Sequence, residues 1–354
     1  MFTKLVFASD LPTWALFVEM AIAAVVVIMA GTRFTRLADT VADRLNLSAG
    51  WVGLVLLATV TSLPELVTGA TATWIDNVDL ALGNIFGSCS FNITLIVLLN
   101  ALIGGGSVLR GVGSTHALTS SFGLLLMAEA LLGLVFFQKF TPTPAGEIAW
   151  ALLIFVTYAI CMKLTYSHEK ATAGLVGDAP ERQRVGNGIW SRLALTVMIL
   201  VAASWWLARI GDVLSTHEIK MIGRPLGATF VGACFLALAT SLPEIVTSIT
   251  AVRLGKLDLA LGNIFGSNMF NVFVIPLLKI VSLAGGQPLL LKSQPLDGMD
   301  NLIAGLLAVV LTAITIGALA YKSQRKLPRR FGYDSILIGV TYVAGMTLLV
   351  MKAG

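Results

Sequence analysis

Charged residues are scarce in this chain: only 12% of its 354 residues are Asp, Glu, Lys or Arg, whereas 56% are hydrophobic. A soluble domain carries roughly a quarter charged residues, so this composition excludes an ordinary water-soluble protein. The mean hydropathy of +0.87 instead predicts an integral membrane protein with several crossings. The net charge of +5 does not indicate nucleic-acid binding, because the basic residues fall in short loops between apolar segments.

Histidine and cysteine are also scarce, with three of each. No CxxC, HExxH or GxxxxGK[ST] sequence occurs, which argues against a thiolate zinc pair, a zinc-protease helix and a nucleotide-binding P-loop. We therefore expect no cofactor and no use of ATP. An intramembrane metal-dependent enzyme is a less favoured alternative, because His116, His168 and His217 lie outside the centres of the apolar segments.

Ten apolar runs are long enough to cross a hydrocarbon core of about 30 Å. The connections after the odd-numbered runs are the richer in Lys and Arg, which predicts that they are cytoplasmic and that both termini are outside. No cleavage pattern stands out near the N-terminus, so we expect the first run to be retained as a helix. The runs lie near 12–31, 50–74, 79–103, 117–137, 146–166, 191–210, 226–252, 258–283, 301–321 and 333–351.

An internal repeat organises the chain. Residues 61–92 and 240–271 align without gaps at an offset of 179 and share 21 of 32 positions, including DLALGNIFGS in both copies. Each half holds five runs, an odd number, so the second half should enter the membrane in the opposite orientation. The sequence therefore predicts an all-α membrane protein of ten transmembrane helices, arranged as two inverted-topology five-helix repeats.

The longest polar stretch divides the two halves. We predict a first repeat at 1–166, a cytoplasmic linker at 167–190 and a second repeat at 191–354. The most similar part of each repeat is an α-repeat core, at 50–103 and 226–283. In transporters built this way the site lies near the bilayer midplane, where the repeats meet.

Each core places TSLPE in the middle of an apolar segment, at 61–65 and at 240–244. A carboxylate at this depth costs at least about 2.5 kcal/mol on insertion scales and usually marks a function. Pro64 and Pro243 each remove one amide donor and crowd the carbonyl four residues earlier. We therefore expect a kink and freed carbonyl oxygens beside each glutamate.

The repeats also predict a set of oxygen ligands. Ala58, Thr61 and Glu65 are spaced so that a carbonyl, a hydroxyl and a carboxylate share one helix face, and the next segment offers Ser88 and Asn92. Two carboxylates among neutral oxygens suit a hard cation such as Ca²⁺, whereas Zn²⁺ would favour imidazole or thiolate. As alternatives, the serines and asparagines could serve only as interhelical hydrogen bonds, and the repeated glycines only as packing sites. The second copy repeats the ligand set with Ala237, Thr240, Glu244, Ser267 and Asn271.

These motifs resemble those of the cation/Ca²⁺ exchanger superfamily, particularly prokaryotic Na⁺/Ca²⁺ exchangers, whose two repeats carry GTSLPE-like and GNxxGSN-like sequences. The matches are Thr61 to Glu65 with Gly83 to Ser88, and Thr240 to Glu244 with Gly262 to Asn268. The chain departs from the motifs at Val60, Ala239 and Cys89, where glycine, glycine and asparagine are usual.

The resemblance implies that Glu65 and Glu244 are the central Ca²⁺ ligands, that the neighbouring oxygens also serve Na⁺, and that Ser62 and Ser241 border the same site. It implies a secondary antiporter of a prokaryotic plasma (inner) membrane that exchanges Na⁺ for Ca²⁺ by alternating access. Its partners would be these two ions and the lipid bilayer. Antiport of H⁺ against Ca²⁺ or another divalent cation, through protonation of the glutamates, is the main alternative, and a cation channel is a further one.

Overall fold

The computed structural model describes residues 13–45, 47–103, 107–139, 143–173, 187–216, 237–286, 300–321 and 332–352. Within these ranges the regular secondary structure is helical, and nine spans are long and apolar enough to cross a membrane. The prediction of an all-α, multi-pass membrane protein is confirmed. The predicted seventh segment, 226–252, is described only from Ala237 onward, so the rest of it lies outside the described residues.

The helices are numbered in chain order. A π-helical stretch, Gly53–Leu57, joins α2 to α3, and a 3-10 turn, Val108–Gly111, precedes α6. The helices are α1 (Thr13–Leu45), α2 (Ala49–Val52), α3 (Ala58–Thr61), α4 (Leu63–Trp74), α5 (Val78–Ile103), α6 (Ser114–Lys139), α7 (Pro144–Ala173), α8 (Asn187–Thr216), α9 (Ala237–Thr240), α10 (Leu242–Arg253), α11 (Leu257–Ala284), α12 (Asp300–Tyr321) and α13 (Tyr333–Lys352).

Three helices are longer than hydropathy predicts. Helix α1 continues past 31 to Leu45, α7 continues past 166 to Ala173, and α8 begins at Asn187 rather than at 191. The predicted linker therefore begins and ends as helix, and its residues 174–186 lie outside the described ones. A helix satisfies its own backbone hydrogen bonds and can continue beyond the bilayer, whereas hydropathy detects only the apolar part.

Helices α5 and α11 form the centre of the bundle. Buried residues make up 67% of the apolar window of α5 and 78% of that of α11, against 22% for α7, α8 and α13. Most residues of both central helices are apolar or small, and a helix of this kind packs in the interior. Helix α11 contacts α5, α6, α7 and α10 as well as the α2–α4 segment, and α5 contacts α4, α12 and α13.

Small residues allow α11 to approach the α2–α3 segment closely. Gly262 faces the backbone of Gly50, and a Cβ atom on Gly266 would lie 2.6 Å from the carbonyl oxygen of Leu54 and 2.7 Å from the Cβ of Ala58. No side chain fits at such distances, so these two repeated glycines serve helix packing. This agrees with the small-xxx-small interpretation of the pair.

The second predicted segment, 50–74, is interrupted at its centre. Helix α3 ends at Thr61, Ser62 leaves helical geometry with φ −90° and ψ 6°, and α4 begins at the next residue. Pro64 therefore lies in the first turn of a new helix, where a missing amide hydrogen costs little. The predicted kink is thus a break between two helices. The second copy has the same break at Ser241, between α9 and α10.

Candidate ion-binding site

The two helix breaks meet inside the bundle. Glu65 lies in the first turn of α4 and Glu244 in the first turn of α10, and both are fully buried. Ser62 Oγ donates a hydrogen bond to Glu244 Oε1 at 3.1 Å, and Ser241 Oγ donates one to Glu65 Oε1 at 3.1 Å. Each carboxylate is therefore held by the helix break of the other copy.

The central helices add a second hydroxyl to each carboxylate. Ser88 Oγ on α5 donates to Glu65 Oε1 at 3.3 Å, and Ser267 Oγ on α11 donates to Glu244 Oε1 at 3.4 Å. In the part of the chain that the structure describes, Oε2 of each glutamate is buried and accepts no hydrogen bond. Each carboxylate thus has one oxygen fixed by two serines and one oxygen without a donor.

The predicted alanine carbonyls lie at the same breaks. The carbonyl oxygen of Ala58 accepts the backbone amide of Ser62 at 3.1 Å, and that of Ala237 accepts the amide of Ser241 at 2.9 Å. A carbonyl oxygen has two lone pairs and can accept a second group; the Thr61 hydroxyl lies 3.5 Å from the Ala58 oxygen, and the Thr240 hydroxyl lies 3.3 Å from the Ala237 oxygen. Each carbonyl thus lies one helical turn before the serine that contacts a glutamate.

The two threonines contact a pair of residues that the sequence prediction omits. Thr61 Oγ1 donates to Asn263 Oδ1 at 3.2 Å, and Thr240 Oγ1 donates to Asn84 Oδ1 at 3.2 Å. Both asparagines are fully buried. They occupy the same position of the repeated GNIFGS block, and a polar amide repeated inside an apolar segment is the signal that could have identified them.

The two asparagines predicted as ligands, Asn92 and Asn271, make no hydrogen bond to the carboxylates among the described residues. Asn92 Nδ2 donates instead to Asn268 Oδ1 at 3.1 Å. The Oδ1 atoms of Asn92 and Asn271 are buried and accept no hydrogen bond from the described residues. Among the hydrogen bonds of the described residues, the glutamates are contacted by the four predicted serines, and not by these two asparagines or by the two alanine carbonyls.

The contacts are reciprocal when the two copies are exchanged. Cys89 and Asn268 occupy equivalent positions, because they differ by the repeat offset of 179, and they contact each other. Asn268 Nδ2 donates to the Cys89 carbonyl at 3.1 Å, and Cys89 Sγ lies 3.8 Å from the Asn268 carbonyl. The two copies of the repeat therefore meet at equivalent residues in the interior of the bundle.

The donor set is made of oxygen atoms. Among the described residues no group of three or more His, Cys, Asp and Glu side chains could hold a metal ion. What the structure gathers instead is two carboxylates surrounded by hydroxyl and carbonyl oxygens. Ca²⁺ and Na⁺ are hard cations that prefer such ligands, whereas Zn²⁺ and Cu⁺ prefer nitrogen and sulfur.

Comparison with known proteins identifies the architecture. A family model described as sodium/calcium exchanger protein matches residues 15–166 and 189–352. The chain belongs to the sodium/calcium exchanger family. The resemblance drawn from the two repeats is thus confirmed, and so are the expectations of a transporter rather than an enzyme and of transported ions rather than a cofactor, since the members of this family are exchangers.

The relatives support the same assignment. CaxA of Alkalimonas amylolytica is 29% identical over 301 residues, which cover 83% of this chain and 88% of CaxA. The sodium/calcium exchanger MaX1 of Methanosarcina acetivorans is 25% identical over 278 residues, which cover 68% of this chain and 76% of MaX1. The solved structure of the sodium-calcium exchanger NCX_Mj superposes with a TM-score of 0.64 at 18% identity and covers 94% of this chain and 97% of its own. The chain therefore has the exchanger fold and is a Ca²⁺/cation antiporter of the membrane.

Proposed function

We propose that this exchanger moves Na⁺ against Ca²⁺ by alternating access, at a midplane site centred on Glu65 and Glu244. The environment of the two carboxylates supports this most strongly. Oε1 of each accepts hydroxyl groups from both copies, whereas the buried Oε2 accepts no hydrogen bond from the described residues. An ionised oxygen in such surroundings is strongly destabilising unless a cation neutralises it.

The proposed ligands are the oxygens around these carboxylates. Ca²⁺ takes about six to eight oxygen ligands, so two glutamates need help from neutral groups. The helix breaks and the central helices supply these from both copies, and Na⁺ would use the same atoms. The neutral ligands proposed are Ala58, Thr61, Ser62, Ser88, Ala237, Thr240, Ser241 and Ser267, with Asn92 and Asn271 one turn beyond the last serine of each copy.

Neutralisation of charge accounts for the coupling. One Ca²⁺ balances both carboxylates, and Na⁺ ions do so in its place, whereas an empty site keeps two buried negative charges and is costly to carry through a closed state. Because the ions share ligands, each opposes the binding of the other, and this effect is reciprocal. Each net charge that moves with Na⁺ adds about 2.3 kcal/mol per 100 mV of membrane potential, which drives Ca²⁺ out of a cell with a negative interior.

The repeat supplies the physical basis of alternating access. We propose that the five-helix repeats, 1–166 and 191–354, have inverted topology and that the segment 167–190 joins them. When inverted repeats exchange conformations, a site between them opens to the opposite side of the membrane. The breaks at Ser62 and Ser241 interrupt regular helix beside the carboxylates, which is where a hinge would act on the ligands.

We also propose an inner-membrane location with the odd-numbered connections inside and both termini outside. Lys256, after the seventh segment, forms ion pairs with Asp39 at 3.2 Å and with Asp43 at 3.1 Å. Both carboxylates lie in the polar end of α1, so the connections after the first and the seventh segments lie on the same side of the membrane. The Asp43 carboxylate raises the pKa of Lys256, which favours its charged form.

A cysteine introduced at Lys256 tests this orientation. It should be labelled by an impermeant maleimide in inverted vesicles and should not be labelled in intact cells. The reverse pattern would contradict this orientation.

The exchange reaction is tested by uptake of ⁴⁵Ca²⁺ into proteoliposomes loaded with Na⁺ at fixed pH. We expect net uptake that requires the outward Na⁺ gradient. In vesicles without Na⁺, unlabelled Ca²⁺ inside should stimulate ⁴⁵Ca²⁺ entry, because a carrier shows counterflow. Uptake that ignores Na⁺ but follows a pH gradient would replace Na⁺ by H⁺ as the coupling ion. Flux that follows the Ca²⁺ gradient alone, without counterflow, would indicate a channel.

A further inference from the structure

Two buried amides accept hydrogen bonds from the threonine hydroxyls of the candidate site. Asn263 Oδ1 accepts the Thr61 hydroxyl, and Asn84 Oδ1 accepts the Thr240 hydroxyl, each across the two copies. In the described part of the chain neither amide hydrogen-bonds to a glutamate. Their contacts with the proposed ligands are therefore made through the threonines.

The orientation of the Asn263 amide is set by its neighbours on α10. The Thr247 hydroxyl has one proton, which it donates to the backbone, with the Pro243 carbonyl at 2.8 Å. Towards Asn263 this hydroxyl can only accept, so the amide nitrogen faces it, at 3.0 Å, with Ser248 Oγ at 3.2 Å. The amide oxygen is thereby turned towards Thr61, which has to be the donor of that bond.

A fixed donor direction matters because a hydroxyl has one proton and two lone pairs. A proton committed to Asn263 leaves the lone pairs of Thr61 for a cation. The other acceptors near this hydroxyl are the Glu244 carboxylate, with which Thr61 also interacts, and the Ala58 carbonyl and Ser267 Oγ, both at 3.5 Å. Each of these is itself a proposed ion ligand, and a proton directed at any of them would oppose a cation bound between them.

We propose that Asn263 is a positioning residue that makes Thr61 a cation ligand and thereby sets the affinity of the exchanger for Ca²⁺. This role rests on the proposed exchange site. Its direction is dictated by the chain of donors that runs from Thr61 through Asn263 and Thr247 to the backbone of α10. The amide itself contributes no ligand.

The equivalent network in the first copy is incomplete. Gly69 occupies the position equivalent to Ser248, and Thr68 the position equivalent to Thr247. Among the described residues, Asn84 Nδ2 and Thr68 Oγ1 are buried and have no hydrogen-bond partner. Asn84 therefore lacks the anchors that orient Asn263, so the two amides are oriented unequally.

The inequality predicts an order of effects on Ca²⁺ binding, measured by calorimetry on the purified full-length protein in Na⁺-free detergent. Asn263→Ala should raise the Kd for Ca²⁺ about tenfold, the equivalent of one well-made buried hydrogen bond. Asn84→Ala should raise it no more than about threefold. Equal effects of the two substitutions, or an unchanged Kd in Asn263→Ala, would overturn the proposal.

A double-mutant cycle separates positioning from general destabilisation. In a Thr61→Val background, Asn263→Ala should change the Kd by less than about twofold, because the hydroxyl it orients is already gone. Thr247→Val should raise the Kd in the wild-type background and add nothing to Asn263→Ala. Additive effects in both cycles would assign Asn263 a purely structural role. A Ca²⁺-free melting temperature that falls far enough to explain the weaker binding by unfolding would do the same.

Gly69→Ser provides a matched gain of contact, since a Cβ at Gly69 meets only the Leu278 methyl groups, at 3.4 and 3.6 Å. The added hydroxyl should complete the first-copy network, so that Asn84→Ala has a larger effect in this background than in the wild type. An Asn84→Ala effect unaltered by Gly69→Ser would count against orientation by these hydroxyls.

The binding and transport measurements test the positioning role of Asn263 and the coupling to Na⁺ separately. Wild-type protein that binds Ca²⁺ but shows no Na⁺-dependent uptake would overturn Na⁺ coupling and leave the Asn263 cycle fully measurable. Wild-type exchange with Na⁺, together with a Kd indifferent to Asn263, would overturn the positioning role alone. A wild-type protein that binds no Ca²⁺ would overturn both.

Discussion

Glu65→Gln and Glu244→Gln are each expected to lower Na⁺-driven Ca²⁺ uptake by more than about 100-fold. Glutamine keeps the size of the side chain and an oxygen that accepts the two serine hydroxyls, but it removes one of the two negative charges. At an effective dielectric constant of about 20, a contact between unit charges at about 4 Å is worth about 4 kcal/mol, and about 1.4 kcal/mol corresponds to a factor of ten. Because Glu65 and Glu244 have equivalent contacts, the two substitutions should be similarly severe.

Glu129→Gln is the matched control. Glu129 is a half-buried carboxylate within α6 that accepts the Thr157 hydroxyl at 3.3 Å, and it has no equivalent in the repeat. This variant should retain uptake close to that of the wild type. Added Ca²⁺ should raise the melting temperature of the wild type and of Glu129→Gln, because an ion stabilises the folded state only of a protein that binds it. The melting temperatures of the two site variants should not change. Uptake preserved in either folded site variant would contradict a two-carboxylate site.

Lys279→Met is expected to destabilise the protein by about 3–5 kcal/mol. Lys279 Nζ on α11 lies 2.6 Å from Glu147 Oε2 in the first turn of α7, and the side chains are 4% and 1% exposed. Removal of the ammonium group takes the positive charge away from a buried carboxylate, which is costly in a medium of low dielectric constant. The measurement is unfolding of the purified protein in detergent, followed by tryptophan fluorescence.

The double variant Lys279→Met/Glu147→Leu distinguishes the ion pair from simple loss of packing. With both charges removed and both positions apolar, most of the lost stability should return, because the desolvation of the charges is no longer required. A double variant as unstable as the sum of the two single variants would show that the pair is not coupled. Ca²⁺ binding by the double variant should stay near that of the wild type, because Lys279 lies twelve residues after Ser267 on α11 and pairs with Glu147.

Hydropathy and the repeat predict much of this protein because they depend on local chemistry. The apolar runs locate the helices, and the repeat locates Glu65 and Glu244, because a carboxylate inside a hydrocarbon-length segment is costly wherever the segment packs. Thr61 and Glu65 flank the break at Ser62, and Thr240 and Glu244 flank the break at Ser241, so the spacing within one regular helix does not by itself give their relative positions. The ends of α1, α7 and α8 are less predictable, since polar residues continue these helices outside the bilayer.

Hydropathy and spacing along the chain do not predict which residues of the two copies contact each other. Ser62 stands three residues before Glu65, a spacing typical of a capping box, in which the serine hydroxyl would bond the backbone of its own helix. In the structure it makes no cap bond and instead donates to Glu244 in the other copy. The pairing of Lys279 with Glu147 and of Thr61 with Asn263 likewise joins residues more than a hundred positions apart.

The sequence alone thus determined the membrane class, the helical spans, the internal repeat and the residue types of the candidate site, because each follows from hydrophobicity, spacing or identity along the chain. The tertiary structure alone decided which oxygen each hydroxyl contacts, that Pro64 lies in the first turn of a helix rather than at a kink, and that Asn263 and Asn84 have unequal hydrogen-bond partners. These depend on how the two copies pack against each other: a hydroxyl takes the acceptor that packing brings within about 3 Å, and a local pattern contains no information on which one that is.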